Sequence, residues 1–138
     1  MNSPGAVRIV PLAGHAGLAH GRFGADDAYV EALWLPVLGP ASFVLWRQLA
    51  RDASEHPGLT VSLDQLAASV GLGSPRGTQS ALARTMRRLE RFGLLRRCGD
   101  DLLVVRCRVP FVTGRQLARL HPTIRARHDL FHSRRAAG

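Results

Sequence analysis

Residues 66–97 read LAASVGLGSPRGTQSALARTMRRLERFGLLRR. A short helical pattern ends at Gly71 and Gly73, and a longer one runs from about Thr78 to Phe92. Gly93 then stands at the C′ position, where the chain takes a left-handed turn that glycine adopts without penalty. At 100° per residue Leu82, Met86, Leu89 and Gly93 fall within about 40° of one direction, which marks the buried stripe. Ser80, Arg84, Arg87, Arg88 and Arg91 fall on the far side. The longer helix is thus predicted to turn a row of guanidinium groups away from the core.

Upstream, Ser62-Leu-Asp-Gln65 is a capping box in which the Ser62 hydroxyl accepts from the Gln65 backbone N–H and the Gln65 side chain reaches back. It opens the helix LDQLAASV. The LTV before it has room for one short strand. Gly39-Pro40 starts a further helix, with proline at its first position and Phe43, Trp46, Leu49, Ala50 and Ala53 at core spacing. Asp26-Asp27 is an N-cap signal for a first short helix, AYVEALWLPVLG, ending near Pro36. Trp34 and Trp46 lie in helical apolar patterns and read as core anchors. Residues 1–25 hold five glycines and little periodicity, so they read as an irregular arm with one short strand at Val7–Val10.

Downstream, LLRRC, GDD and LLVVRCRV form a β-hairpin pattern, with Val105, Cys107 and Val109 on one side and Arg106 and Arg108 on the other. Pro110 ends it. Thr113–Gln116 is a second capping box, opening GRQLARL, and Pro122 starts TIRARHDLF. Leu117, Leu120, Ile124 and Phe131 line up as an apolar stripe. That stripe either packs back on Trp34 and the first helix or meets a second copy of the chain.

The chain has 138 residues, 46% of them hydrophobic, which is one domain's worth and enough for a core without metal or disulfides. Its nineteen basic residues are all arginine. Residues 1–75 hold four of them against six acidic residues, whereas residues 76–138 hold fifteen against four. The net charge of +9 therefore comes from the second half. A field of one sign on that scale suits a polyanion, and nucleic acid is the commonest such partner. The N-terminus lacks the pattern of a secretory signal and no apolar run approaches the ~20 residues of a membrane span, so a cytoplasmic protein with reduced cysteines is expected.

In the order helix, short strand, short helix, glycine turn, basic helix and hairpin, residues 40–110 resemble the winged helix-turn-helix family, most specifically in LAASVGLG followed by ALARTMRRLERFGLLRR. The fold class expected is mainly α with a small β-hairpin. Its parts are an arm over residues 1–25, a winged helix over 26–112 and a C-terminal helical extension over 113–138. The resemblance implies a protein that binds double-stranded DNA with the outward face of the basic helix in the major groove. Arg76, Thr78, Gln79, Ser80 and Arg84 would then lie at or near the bases, and Arg87, Arg88 and Arg91 at phosphates. Arg96, Arg97, Arg106 and Arg108 on the hairpin flanks would meet the backbone. Two departures stand out: the turn is longer than the usual 3 to 4 residues, and the hairpin tip carries Asp100 and Asp101 where a phosphate-touching wing wants cations. A transcriptional regulator is the leading reading. The alternatives are a winged-helix module that binds other proteins, or a replication or nucleoid factor, since YVEALWLPVLGPASFVLWRQLA is similar to the N-terminal winged-helix domains of replication initiators.

Little in the sequence points to catalysis or a small-molecule substrate. There is no lysine to complete a phosphate-binding loop of the G-x-x-x-x-G-K type, and no cofactor is expected. His128 and His132 are four apart, with Asp129 and His121 nearby, and His15 and His20 lie in the arm; neither pair has ligand spacing that favours a metal over plain surface. Cys98 and Cys107 are offset across the hairpin beyond disulfide reach and read as packing residues.

Overall fold

The computed structural model describes residues 5–12, 21–75 and 79–137. Chain order begins with strand β1 (Ala6–Pro11) and the two-residue β2 (Phe23–Gly24). A π-helical turn, Val30–Trp34, runs into helix α1 (Leu35–Leu38), and α2 (Pro40–Glu55) follows. Next come β3 (Leu59–Ser62), α3 (Leu63–Ser69), α4 (Ala81–Arg91), β4 (Leu95–Cys98) and β5 (Leu102–Val105). The chain ends with β6 (Arg108–Val109), α5 (Gly114–Ala118) and α6 (Pro122–Ala137).

The fold is mixed α/β, which corrects the mainly α expectation. The cause is the arm. Its alternation puts Val7 and Ile9 inward, both buried, and Arg8 outward. In this setting β1 is not peripheral: it lies between β3 and β5 in a four-stranded sheet of order β3-β1-β5-β4. It pairs antiparallel with β3 (Val7 opposite Val61) and parallel with β5 (Ile9 opposite Leu103). β4 and β5 form the expected hairpin, with Leu95 opposite Val105 and Cys98 opposite Leu102. The predicted strand over residues 102–109 is split. Trp46 Nε1 donates to the Arg106 carbonyl at 2.7 Å, and β6 leaves the main sheet to pair with β2, Phe23 opposite Val109. Gly21 touches the Val109 backbone so closely that a Cβ there would collide with it, and its φ of 133° suits glycine alone.

One face of the main sheet, through Val7, Ile9, Leu95, Leu103 and Val105, covers the core shared with α2 and α4. The α2 residues at predicted core spacing, Phe43, Trp46, Leu49, Ala50 and Ala53, are all buried. Trp34 joins them as an anchor, its Nε1 donating to the Pro110 carbonyl at 2.9 Å. Pro36 does not end the first helix, contrary to expectation. It sits in the first turn of α1, where a missing N–H costs least, and the stop is Gly39 with φ 86°. Both capping boxes are formed, Gln65 N to Ser62 Oγ at 3.0 Å and Gln116 N to Thr113 Oγ1 at 3.1 Å.

The C-terminal stripe belongs to the chain's own core. Leu117, Leu120, Ile124 and Phe131 are partly buried against it, and α6 lies on the π-helical turn. At the centre is Tyr29, fully buried. It stacks on Phe23 at 4.2 Å between ring centroids and meets Phe111 and Phe131 edge-on at 5.2 Å and 5.4 Å. Its hydroxyl accepts the Val112 N–H at 2.9 Å and lies 3.0 Å from His128 Nδ1. With the Val112 N–H on one of its lone pairs, the hydroxyl either donates to His128 Nδ1 or accepts from it, according to the imidazole tautomer. Burial pushes the Tyr29 hydroxyl up to about 12 and holds the His128 imidazole below its ordinary range.

Candidate nucleic-acid interface

Helix α4 is fixed at both ends by its own sequence. Ser80 is its N-cap, the hydroxyl accepting from the Ala83 N–H at 3.1 Å, so the regular helix begins at Ala81 and not at Thr78. At the other end the Leu94 N–H donates to the Leu89 carbonyl and the Gly93 N–H to the Glu90 carbonyl, both at 3.0 Å, with Gly93 at φ 73°. This is a Schellman motif, and it turns the chain straight into β4. Leu82, Thr85, Met86 and Leu89 are buried against α2 and the sheet. The amphipathic reading of the helix is therefore correct.

The arginines divide into three groups. Arg84, Arg87 and Arg91 are exposed on the outer side of α4, with Gln79 exposed just before its cap. Arg88 is turned the other way. Its Nε donates to the Leu38 carbonyl at 2.8 Å and its Nη2 to the Val37 carbonyl at 3.3 Å, while the guanidinium covers the Phe92 ring at 5.4 Å. It neutralises the carbonyl end of α1 and holds that helix to α4. On the hairpin, Arg96 and Arg97 are exposed. Arg106 is half-buried, its Nε donating to the Arg108 carbonyl at 3.1 Å, and burial lowers its pKa. Arg108 is engaged elsewhere, donating to the Gly21 carbonyl at 3.1 Å and the Arg22 carbonyl at 2.6 Å, so it ties β2 to β6. Arg76 and Thr78 lie outside the described residues.

Two concavities lie on this surface, one along the helix and one between the helix and the hairpin. One, of about 460 Å³, lies against Arg87, Glu90 and Arg91. The other, of about 420 Å³, lies between the end of α4 and the sheet and is lined by Arg96, Arg97 and Arg106 and by Leu12 and Val104, with the backs of the core residues Leu94 and Leu95 beneath. Glu90 borders both. The outer side of α4 and the flank of the hairpin thus border these concavities with arginines, and Glu90 is the one carboxylate among the described residues that line them. Glu90 and the hollow are not among the features the sequence singles out. The helical wheel did hold a signal, since Glu90 falls about 80° from Leu82, between the core and the arginines. The floor had none, because Leu12 reaches it only through the placement of β1. At the hairpin tip Asp100 and Asp101 are exposed, and the Asp101 carbonyl accepts the Arg8 N–H at 2.7 Å.

Among the described residues no group of histidine, cysteine and acidic side chains is placed to hold a metal ion. No helix among the described residues is long and apolar enough to cross a membrane. Cys98 and Cys107 are free thiols, both half-buried.

The order α2, β3, α3, α4, β4, β5 is the one expected of a winged helix, but β1 stands between β3 and β5, so those two strands do not pair, and a helical tail packs on the π-helical turn. No protein-family model and no curated protein matches the sequence. Among solved structures the chain is similar to residues 1–300 of the primosome protein DnaB from Geobacillus stearothermophilus, with a TM-score of 0.53 and 16% identity. The match covers 91% of this chain and 47% of that one, so the chain spans about half the length of its structural neighbour. At that identity the likeness is one of fold.

Proposed function

We propose that this domain binds double-stranded DNA with the outer side of α4 and the adjoining hairpin surface, and that it serves replication initiation rather than transcriptional regulation. The observation that carries the reading is the continuity of the cationic surface. Arg84, Arg87 and Arg91 are exposed on the helix and Arg96 and Arg97 on the strand; Arg87 and Arg91 border one concavity, Arg96 and Arg97 the next, and Glu90 both, while the opposite side of α4 is core. An exposed helix of that character fits the major groove, with flanking guanidinium groups at phosphates. The choice of process rests on the neighbour's being a primosome protein. No cofactor enters this reading, which is a binding function and not a catalytic one.

Titration of duplex DNA at several salt concentrations tests it. The logarithm of the binding constant should fall linearly with the logarithm of salt, by about 0.9 for each phosphate neutralised. Arg91→Ala should flatten that slope by about one contact on every duplex, and Arg84→Ala should weaken the preferred site by about 1 to 3 kcal/mol. Arg88→Ala should lower the melting temperature and leave the slope alone, because its guanidinium is spent on α1. Absence of duplex binding at low salt would overturn the proposal, and capture of an acidic protein partner would then favour an interaction module.

A further inference from the structure

We infer that the hollow between the end of α4 and the β4–β5 hairpin is a site for one unpaired guanine nucleotide, with Glu90 reading the base. The inference rests on the DNA-binding reading and names what that surface does beyond gripping a duplex.

A surface built only to lie against phosphates has no use for a carboxylate at its centre, since like charges repel there. Glu90 is half-buried on the border of both concavities, and its carboxylate has no ion-pair or hydrogen-bond partner among the described residues. It is thus a strong acceptor facing a hollow bordered by arginines. The volume, about 420 Å³, is within the range of small-molecule pockets. Its contents are those a nucleotide needs. Leu12 and Val104, which keep accessible surface, offer an apolar face to the plane of a base, and the exposed guanidinium groups of Arg96 and Arg97 border the hollow, where its phosphate would lie. A carboxylate accepts through two oxygens side by side. Of the four DNA bases only guanine presents two adjacent donors, N1–H and the N2 amino group, on one edge; adenine and cytosine present an amino group next to an acceptor, and thymine a lone N–H. That edge is occupied in a base pair, so the nucleotide must be unpaired.

The experiment uses the full chain and a fluorescent duplex ending in a single unpaired nucleotide, dG, dA, dC or dT, with the blunt duplex as reference. Wild-type protein should bind the dG end at least about fivefold tighter than the other three, the discrimination expected of one bidentate contact. Glu90→Ala should bring that ratio close to one, and Glu90→Gln, which keeps the shape and one acceptor, should reduce it. Competition by free dGMP and not by dAMP would show that the mononucleotide suffices. Competition by neither, with the dG preference retained, would show that the unit is taken as part of a strand. Binding of the blunt duplex with no preference among the four ends, or a dG preference that survives Glu90→Ala, would overturn this inference and leave the duplex-binding proposal standing. Failure to bind any of the five DNAs at low salt would overturn both.

Discussion

His128 illustrates how a single position acquires its chemistry from burial. The imidazole is 9% exposed, held by the Tyr29 hydroxyl and packed edge-on against Phe111 at 5.7 Å between centroids. Desolvation is the largest influence on it; Asp129 favours the charged form and His132 opposes it. Its proton affinity is lower folded than unfolded, where it titrates near 6.5. The unfolded chain therefore binds more protons as pH falls below that value, and folding stability declines with it. We predict that the melting temperature falls between pH 7.5 and pH 5, and that His128→Gln, which can still accept from Tyr29, makes that fall shallower; equal slopes for both proteins would contradict the assignment. At this scale the sequence was a partial guide. Arg88 and Arg91 look alike in sequence and share the outer half of the helical wheel. Only the approach of the α1 carbonyls separates them, because a long side chain at the flank goes to whichever acceptor lies within reach.

Capping chemistry was the most legible feature at the scale of elements. Ser62 with Gln65, Thr113 with Gln116, and Gly93 all do what their local pattern implies, since each acts within a few residues along the chain. The α4 terminus offers a test. A Cβ on Gly93 would touch nothing within 4 Å, so Gly93→Ala would cost only backbone strain at φ 73°. A loss of about 1 to 2 kcal/mol in urea denaturation is expected, with the outer face of α4 unaltered. Element ends were less legible where the local rule admitted two outcomes. Proline stops a helix from within yet suits its first turn, and the π-helical turn before Pro36 decides for the second. Likewise a hydroxyl beside a helix start serves either as cap or as contact, and Ser80 is the cap.

The whole molecule is closed by its two ends. The N-terminal strand completes the sheet and the C-terminal helix covers Tyr29, so the tail's apolar stripe is used within the chain and a homodimer through that stripe loses its motive. Ending the chain at Thr113 would expose Tyr29 and Phe111 and remove the His128 contact. We predict a clear drop in melting temperature for that truncation and a monomeric intact chain by sedimentation at micromolar concentration; an intact dimer that the truncation dissolves would restore the second-copy reading. What the sequence determined by itself was local: the helix starts and stops, the amphipathic stripe of α4, the hairpin, the basic second half. These follow from spacing and from side chains acting on their own backbone. Tertiary structure alone decided that β1 runs between β3 and β5, that β6 leaves for a second sheet, that Arg88 and Arg108 hold elements together while Arg96 and Arg97 stay exposed, and that Glu90 borders a hollow. Each of these depends on pairing or packing across dozens of residues, where one strand edge or carbonyl is chemically like another and only the closed core selects among them.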